Sequence, residues 1–223
     1  MSDAIRVGLV GFGYASKTFH APLIGGTPGM ALKAVASSDA DKVHADWPGV
    51  KVMSAPGDLL DDPDIDLVVI ATPNDTHFPL AKAALEAGKH VVVDKPFTVT
   101  LSQVRELESL AKHCGRILSV FHNRRWDSDF LTVSALINEG QLGEVCYFES
   151  HFDRFRPQVR QRWREQAGPG SGIWYDLAPH LLDQVVVLFG LPVSITVDLA
   201  QLRPGAQSTD YFHAVLAYPQ RRV

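Results

Sequence analysis

Lys95 stands directly after three β-branched residues, Val91, Val92 and Val93, and directly before Pro96. The stretch His90-Val91-Val92-Val93-Asp94-Lys95-Pro96-Phe97 reads as a strand buried on both faces, as in a parallel sheet. It stops at a proline, which cannot donate to a ladder. Ligand crevices of open α/β sheets lie at the carboxyl ends of the strands, so a rigid element would carry this lysine, with Asp94 beside it, into such a crevice. Taken by itself, the stretch favours a lysine that ends the strand and points to water. Asp176 and His180 form a second pair, four residues apart in a stretch where Leu177, Leu181, Val185 and Leu188 recur at helical spacing and Gly190 ends the run. A carboxylate one turn from a histidine can orient and charge it for acid–base work. In the plainer reading Asp176 is the helix N-cap, and Pro179 falls among the first four positions, whose N–H groups need no intrahelical partner. His180 is then an ordinary, partly buried histidine. His180 and Asp183 could begin a metal site, but spacing supplies no third ligand and no metal is expected.

An apolar run at 5–10 leads into Gly11-Phe12-Gly13-Tyr14-Ala15-Ser16, with a helical stretch over 15–24 behind it. This G-x-G-x-x-S pattern suits a dinucleotide. Gly11 permits the tight turn, Gly13 lets backbone approach a pyrophosphate, and a small Ser16 lets helix and strand pack closely. A helix N-terminus would add unpaired N–H groups and a positive dipole end. A second apolar strand over 32–37 ends in Ser37-Ser38 rather than in the acid that holds a ribose 2′-hydroxyl. Asp39 comes slightly later, where it can cap a helix over 40–45, and Lys42 lies beyond. Two hydroxyls with a nearby lysine accommodate a 2′-phosphate, so the pattern favours NADP over NAD. A strand over 66–72 ends in a further polar cluster, Thr72-Pro73-Asn74-Asp75-Thr76-His77.

Stepping between these clusters, a short strand at 51–53, helices over 78–87 and 101–113, and a strand over 116–121 complete an alternation of strand and helix. That alternation signals a doubly wound parallel sheet, a Rossmann domain over residues 1–122. The last of its strands runs into His122-Asn123-Arg124-Arg125-Trp126. Beyond it the pattern changes to a helix over 129–138 and alternating segments over 144–153, 193–202 and 211–218. These read as an α+β domain over 123–223 with a largely antiparallel open sheet. Between them lies Arg154-Phe155-Arg156-Pro157-Gln158-Val159-Arg160-Gln161-Arg162-Trp163-Arg164, read as a solvated hairpin or a substrate-facing loop. His122, Asn123, Arg124, Trp126 and Trp163 offer donors and flat apolar faces suited to a hydroxyl-rich ligand.

A net charge of −4 argues against a general nucleic-acid or anionic-membrane binder. Cys114 and Cys146 are too few for a disulfide scaffold. No leader-like N-terminal segment and no run of ~20 apolar residues is seen, so a cytoplasmic protein is expected.

With the GFGYAS turn, ATPNDTH, DKPF and a D-x-x-x-H-x-x-D helix in this order, the chain resembles the glucose–fructose oxidoreductase / inositol dehydrogenase (Gfo/Idh/MocA) family along essentially its whole length. The resemblance implies an N-terminal Rossmann domain and a C-terminal α+β domain whose open sheet mediates assembly of dimers or tetramers. Lys95, in a D-K-P variant of the family's E-K-P motif, would contact nicotinamide and substrate. Asp176 and His180 would correspond to the family's acid–base pair, and Thr72, Pro73, Asn74 and His77 to its cofactor segment. The expected activity is interconversion of a secondary alcohol and a ketone on a sugar or polyol. The competing readings are a non-catalytic NAD(P)-binding redox sensor and a folded but inactive fragment. Family members usually continue beyond Val223, and Tyr218-Pro219-Gln220 reads as a hairpin turn whose return strand is missing, so a truncated chain is expected.

Overall fold

The apolar runs of the N-terminal part pair in parallel. In the computed structural model, which describes residues 4–223, they form β1 (Ile5–Val10), β2 (Met30–Ala36), β3 (Lys51–Met53), β4 (Leu67–Ile70), β5 (His90–Asp94) and β6 (Leu118–Phe121). The sheet order is β3-β2-β1-β4-β5-β6, the doubly wound order in which direction reverses between β1 and β4. This unit ends at Phe121 and a second begins at His122.

Side chains alternate between the two sheet faces, as the period of two demands. Val7 and Leu9 pack with Ala21, Ile24 and Val43, from α1 (Ala21–Gly26) and α2 (Ala40–Asp46). Val10, Val91 and Val93 pack with Leu59, Leu85 and Leu107, from α3 (Pro56–Leu60), α4 (His77–Glu86) and α5 (Leu101–Cys114). Both faces are therefore covered, and this is why the strands read as continuous apolar runs. The helix expected over 15–24 runs from Tyr14 to Gly26, but Ser16–His20 takes the wider π wind before α1 begins. Asp39 caps α2 as expected, its Oδ1 accepting the Lys42 N–H at 3.0 Å.

Arg6 anchors the start of β1. It donates to Asp66 from its backbone N–H (2.9 Å), Nε (3.0 Å) and Nη2 (2.8 Å), and these contacts hold the Asp66 carboxyl at about 2. A depressed carboxyl stabilises the fold fully above its ordinary value of 3.8 and loses that contribution as pH falls through about 2. The pair is more than a third exposed, so solvent screening limits the effect to about 1 kcal/mol or less. Asp66→Asn is expected to lower Tm by about 2–4 °C at pH 7 and to lose most of that difference near pH 2. An equal deficit at both pH values in a melting series would contradict the assignment.

The second unit contains α6 (Ser128–Asn138), α7 (Gly172–Phe189), β7 (Ser194–Ala200) and β8 (Tyr211–Ala217). β7 and β8 pair antiparallel from Ser194↔Ala217 to Ala200↔Tyr211. Val185 of α7, Leu216 of β8 and Tyr218 form its small core, with Phe148 and Phe189 packed against them.

Two expectations fail here. The segment 144–153 forms no strand: it has one bridge, Tyr147 to Arg222, while β8 pairs with β7 and adds a bridge of its own from Ala217 to Arg222. Alternation in sequence does not make a strand without a ladder partner along its length. Asp176 is also not the cap of α7. That helix begins a full turn earlier at Gly172, with Ser171 as N-cap, so Asp176 is inside it and Pro179 is in its interior. The earlier start rests on Gly172, whose φ of +87° suits glycine and where a Cβ would collide with Thr209. The neighbouring Ile173 N–H, an orphan of the first turn, donates instead to the Thr209 carbonyl at 2.7 Å.

Candidate functional site

Register decides which residues of the first unit meet. Val10 lies opposite Ala36 and Ile70, Ile70 opposite Val93, and Val93 opposite Val120. The next row therefore holds Gly11, Ser37, Ala71, Asp94 and Phe121, and every polar cluster of this unit begins at the same sheet edge. The row straddles the reversal between β1 and β4, where open α/β sheets place their ligand crevice.

The glycine turn fits a dinucleotide. Gly11 has a φ of +89°, and a Cβ on it would sit 2.6 Å from the Ala71 carbonyl oxygen, so no side chain is admitted. At Gly13 a Cβ would point into open space, which leaves backbone there free to approach a diphosphate. Ser16 is fully buried and closes the turn by donating from Oγ to the Gly11 carbonyl at 2.8 Å. Tyr14 is exposed and Ala15 half-buried, whereas the Phe12 ring lies in the core, so this residue can offer a ligand only its backbone. Ser37 donates to and accepts from the backbone of Asp39, and Ser38 is exposed beside it.

Beyond β4, Thr72, Pro73 and buried Asn74 enter one turn of 3-10 helix over Asn74–Thr76. Thr76 Oγ1 donates to the Pro73 carbonyl at 2.6 Å and lies 2.6 Å from Thr72 Oγ1. His77 is buried, with Nε2 3.0 Å from the Thr72 carbonyl and Nδ1 2.8 Å from the Pro96 carbonyl. It thus ties the end of β4 to the loop that follows β5. Both of its ring nitrogens lie within hydrogen-bond distance of backbone carbonyls, so His77 helps to position this edge.

Lys95 is half-buried at the end of β5, joined to Pro96 by a cis peptide bond, and its N–H donates to Asp94 Oδ1 at 2.8 Å. Sequence reading missed His20. This buried ring lies 4.2 Å from the Phe121 ring, and its Nε2 is 3.8 Å from Asp94 Oδ2. Burial pushes the Asp94 carboxyl up, but the His20 ring and Lys95 outweigh it and hold the carboxyl below its ordinary value. His20 could have been noticed only as a histidine one turn past the glycine pattern; its burial was not legible.

In the second unit Asp176 and His180 lie one turn apart on α7. Asp176 faces the guanidiniums of Arg154 and Arg164, each at 3.6 Å. His180 is buried, its ring 6.4 Å from that of Phe152, over which Arg124 is placed. Arg124 also pairs with Asp127 at 2.6 Å. Asp183, one turn on, binds Arg125 through both oxygens (2.6 and 2.7 Å), which raises the Arg125 pKa, and lies 3.8 Å from His122 Nε2. Asp183 therefore anchors the 3-10 turn over Asn123–Trp126 to α7. Asn123 sits half-buried in that turn, while Trp126 is largely exposed. Trp163 carries Arg164 over its ring at 4.4 Å. Among the described residues no group of three or more His, Cys, Asp and Glu could hold a metal ion, and no helix is long and apolar enough to cross a membrane.

A sheet in this order, with a glycine turn at its reversal, defines a dinucleotide-binding unit carried with an α/β unit in one chain. Residues 5–122 match the family model for an oxidoreductase NAD-binding Rossmann fold, and residues 134–223 match that for the C-terminal alpha/beta domain of the same family. The chain belongs to the Gfo/Idh/MocA family of oxidoreductases. It is 80% identical over 223 residues to the uncharacterized oxidoreductase YdgJ of Escherichia coli, covering all of this chain and 64% of that protein. It is 39% identical over 216 residues to the scyllo-inositol 2-dehydrogenase (NADP(+)) IolW of Bacillus subtilis, covering 97% of this chain and 60% of that one. The solved structure of YPO2259 from Yersinia pestis superposes with a TM-score of 0.94 at 70% identity, covering all of this chain and 63% of that one. The chain thus spans less than two thirds of the length of these relatives.

Proposed function

We propose that the chain carries the cofactor site and the proton-handling residues of an NADP-dependent oxidoreductase that interconverts a secondary alcohol and a ketone on a sugar or polyol. The observation that carries this reading is the common sheet edge, where Lys95 and Thr72 directly follow the row that holds Gly11, Ala71 and Asp94. A bound nicotinamide would accept or deliver the hydride at the carbinol carbon. Lys95 would donate a hydrogen bond to the reacting oxygen and favour the negative charge developing there. His180 would take the hydroxyl proton during oxidation and return it during reduction, and Asp176 would stabilise the imidazolium so formed. Gly11, Gly13, Tyr14, Ala15, Thr72 and Asn74 would hold the cofactor.

The surroundings of Asp39 support a preference for NADP. Its Oδ1 accepts the Lys42 N–H and caps α2, while Ser38 and Lys42 are exposed next to it. The NADP(+) in the name of the Bacillus relative agrees with this. The test is absorbance at the nicotinamide band with NADP or NAD against a panel of inositols and aldoses. Turnover with NADP is expected, and Lys42→Glu should lower kcat/KM for NADP by about tenfold or more while leaving NAD unchanged. A variant that loses both equally would remove the 2′-phosphate assignment. Absence of turnover with every alcohol would remove the proposed activity.

A further inference from the structure

The arginine-rich loop does not form a hairpin; it lines a cavity of about 330 Å³ wholly within the second unit. Five arginines line it, Arg154, Arg156, Arg162, Arg164 and Arg203. Three carboxylates, Glu165, Asp176 and Asp210, answer them, which leaves an excess of two positive charges.

The charges divide into two groups. Arg203 bonds Asp210 through Nε at 2.9 Å, lies 3.2 Å from Glu165, and donates from Nη1 to the Arg156 and Gln158 carbonyls. Glu165 also accepts from the Arg160 N–H at 2.9 Å and from Arg162 Nε at 2.8 Å. Arg162, Arg203, Glu165 and Asp210 therefore staple the loop and satisfy one another. The remaining group is different. Arg154 and Arg164 share the single carboxylate of Asp176 at 3.6 Å, longer than a hydrogen bond. Arg156 pairs with no carboxylate among the described residues. Burial disfavours its charged form, and Arg154, Arg162 and Arg160 disfavour it further, against partial relief from Asp176. A positive charge held among positive charges in a concavity is stabilised by an anion.

We propose that this cavity binds an oxyanion, a carboxylate or phosphate carried by a sugar-sized molecule, with Arg156 as its principal contact and Arg154 and Arg164 beside it. A guanidinium fork suits either group, since it can donate two parallel hydrogen bonds to the same oxyanion. The volume lies at the small end of ligand pockets, ~300–1,000 Å³, which suits a single ring rather than a nucleotide. Assigning the anion to the substrate, so that the enzyme acts on an acidic or phosphorylated sugar, rests on the function proposed above and on Asp176 lining the same cavity. The cavity's affinity for an oxyanion does not depend on that function.

The experiment is calorimetric titration of the 223-residue chain, without nicotinamide cofactor, with gluconate, glucose 6-phosphate and myo-inositol at low and raised salt. Either anion is expected to bind at least tenfold more tightly than myo-inositol and to weaken with salt. Tighter gluconate identifies a carboxylate site, and tighter glucose 6-phosphate a phosphate site. Arg156→Ala should weaken anion binding about tenfold or more, and Arg156→Lys should restore part of it. The Arg156 backbone carbonyl, not its side chain, is what Arg203 holds, so both variants should melt like the parent chain. Equal affinity for the anions and myo-inositol overturns the proposal, as does unchanged affinity in a folded Arg156→Ala; salt-independent binding overturns it should that variant not fold. Anion binding without turnover of any alcohol would remove the proposed activity and keep the site. Turnover of neutral polyols without anion binding would do the reverse.

Discussion

Lys95→Met is expected to lower kcat by about a hundredfold or more while the chain still binds NADP. Methionine keeps most of the length and apolar stem of lysine, so β5 and the loop through Pro96 should hold their course. The variant loses the donor that would meet developing charge on the reacting oxygen. A hundredfold loss corresponds to about 2.7 kcal/mol of transition-state stabilisation, the size associated with removing one such donor. Cofactor binding should survive because Gly11, Gly13 and the Thr72–His77 segment are untouched. His180→Ala should show a similar fall in kcat. This histidine is buried, so His180→Gln and a melting curve are needed to separate lost chemistry from lost packing. Near-normal turnover by both Lys95→Met and His180→Gln, measured at saturating cofactor, would sink the assignment of roles.

Gly11→Ala should abolish measurable NADP binding and destabilise the first unit by about 2–3 kcal/mol, or roughly 5–10 °C in Tm. Two effects add. The residue holds a φ of +89°, which an L side chain rarely adopts, and the new methyl would lie 2.6 Å from the backbone oxygen of Ala71. That oxygen belongs to the chain leaving β4, so it cannot move without disturbing the neighbouring pairing of β1 and β4. Gly13→Ala provides the contrast. Its methyl meets nothing within 4 Å, so stability should hold while NADP affinity falls, because the methyl occupies the space needed over the turn. Equal loss of stability in both variants, or full affinity in Gly13→Ala, would contradict this account of the two glycines.

The sequence by itself determined the first unit almost completely. Its strands are short apolar runs, its turns carry glycine, and parallel sheets bury both faces, so the local pattern and the final packing agree. Lys95 at the end of Val91–Val93 and the capping role of Asp39 follow from nearest neighbours alone. The second unit was less legible because its decisive contacts are distant in sequence. The start of α7 depends on Gly172 meeting Thr209, which no local signal around Asp176 contains. The segment 144–153 has the alternation of a strand but lacks a partner along its length, and pairing is a property of two segments.

Tertiary structure alone decided what the charged side chains do. His77 belongs to the cofactor motif in sequence, and its ring nitrogens lie beside two backbone carbonyls, one of them 19 residues away. The arginine run showed its composition but not its division into a self-satisfied staple around Glu165 and a surplus around Arg156. Charge neutralisation depends on distances in space, and Arg203, which completes the staple, lies 47 positions from the Arg156 carbonyl it holds. Residue types set which chemistry was available; the placement of partners far along the chain set which groups are left to perform it.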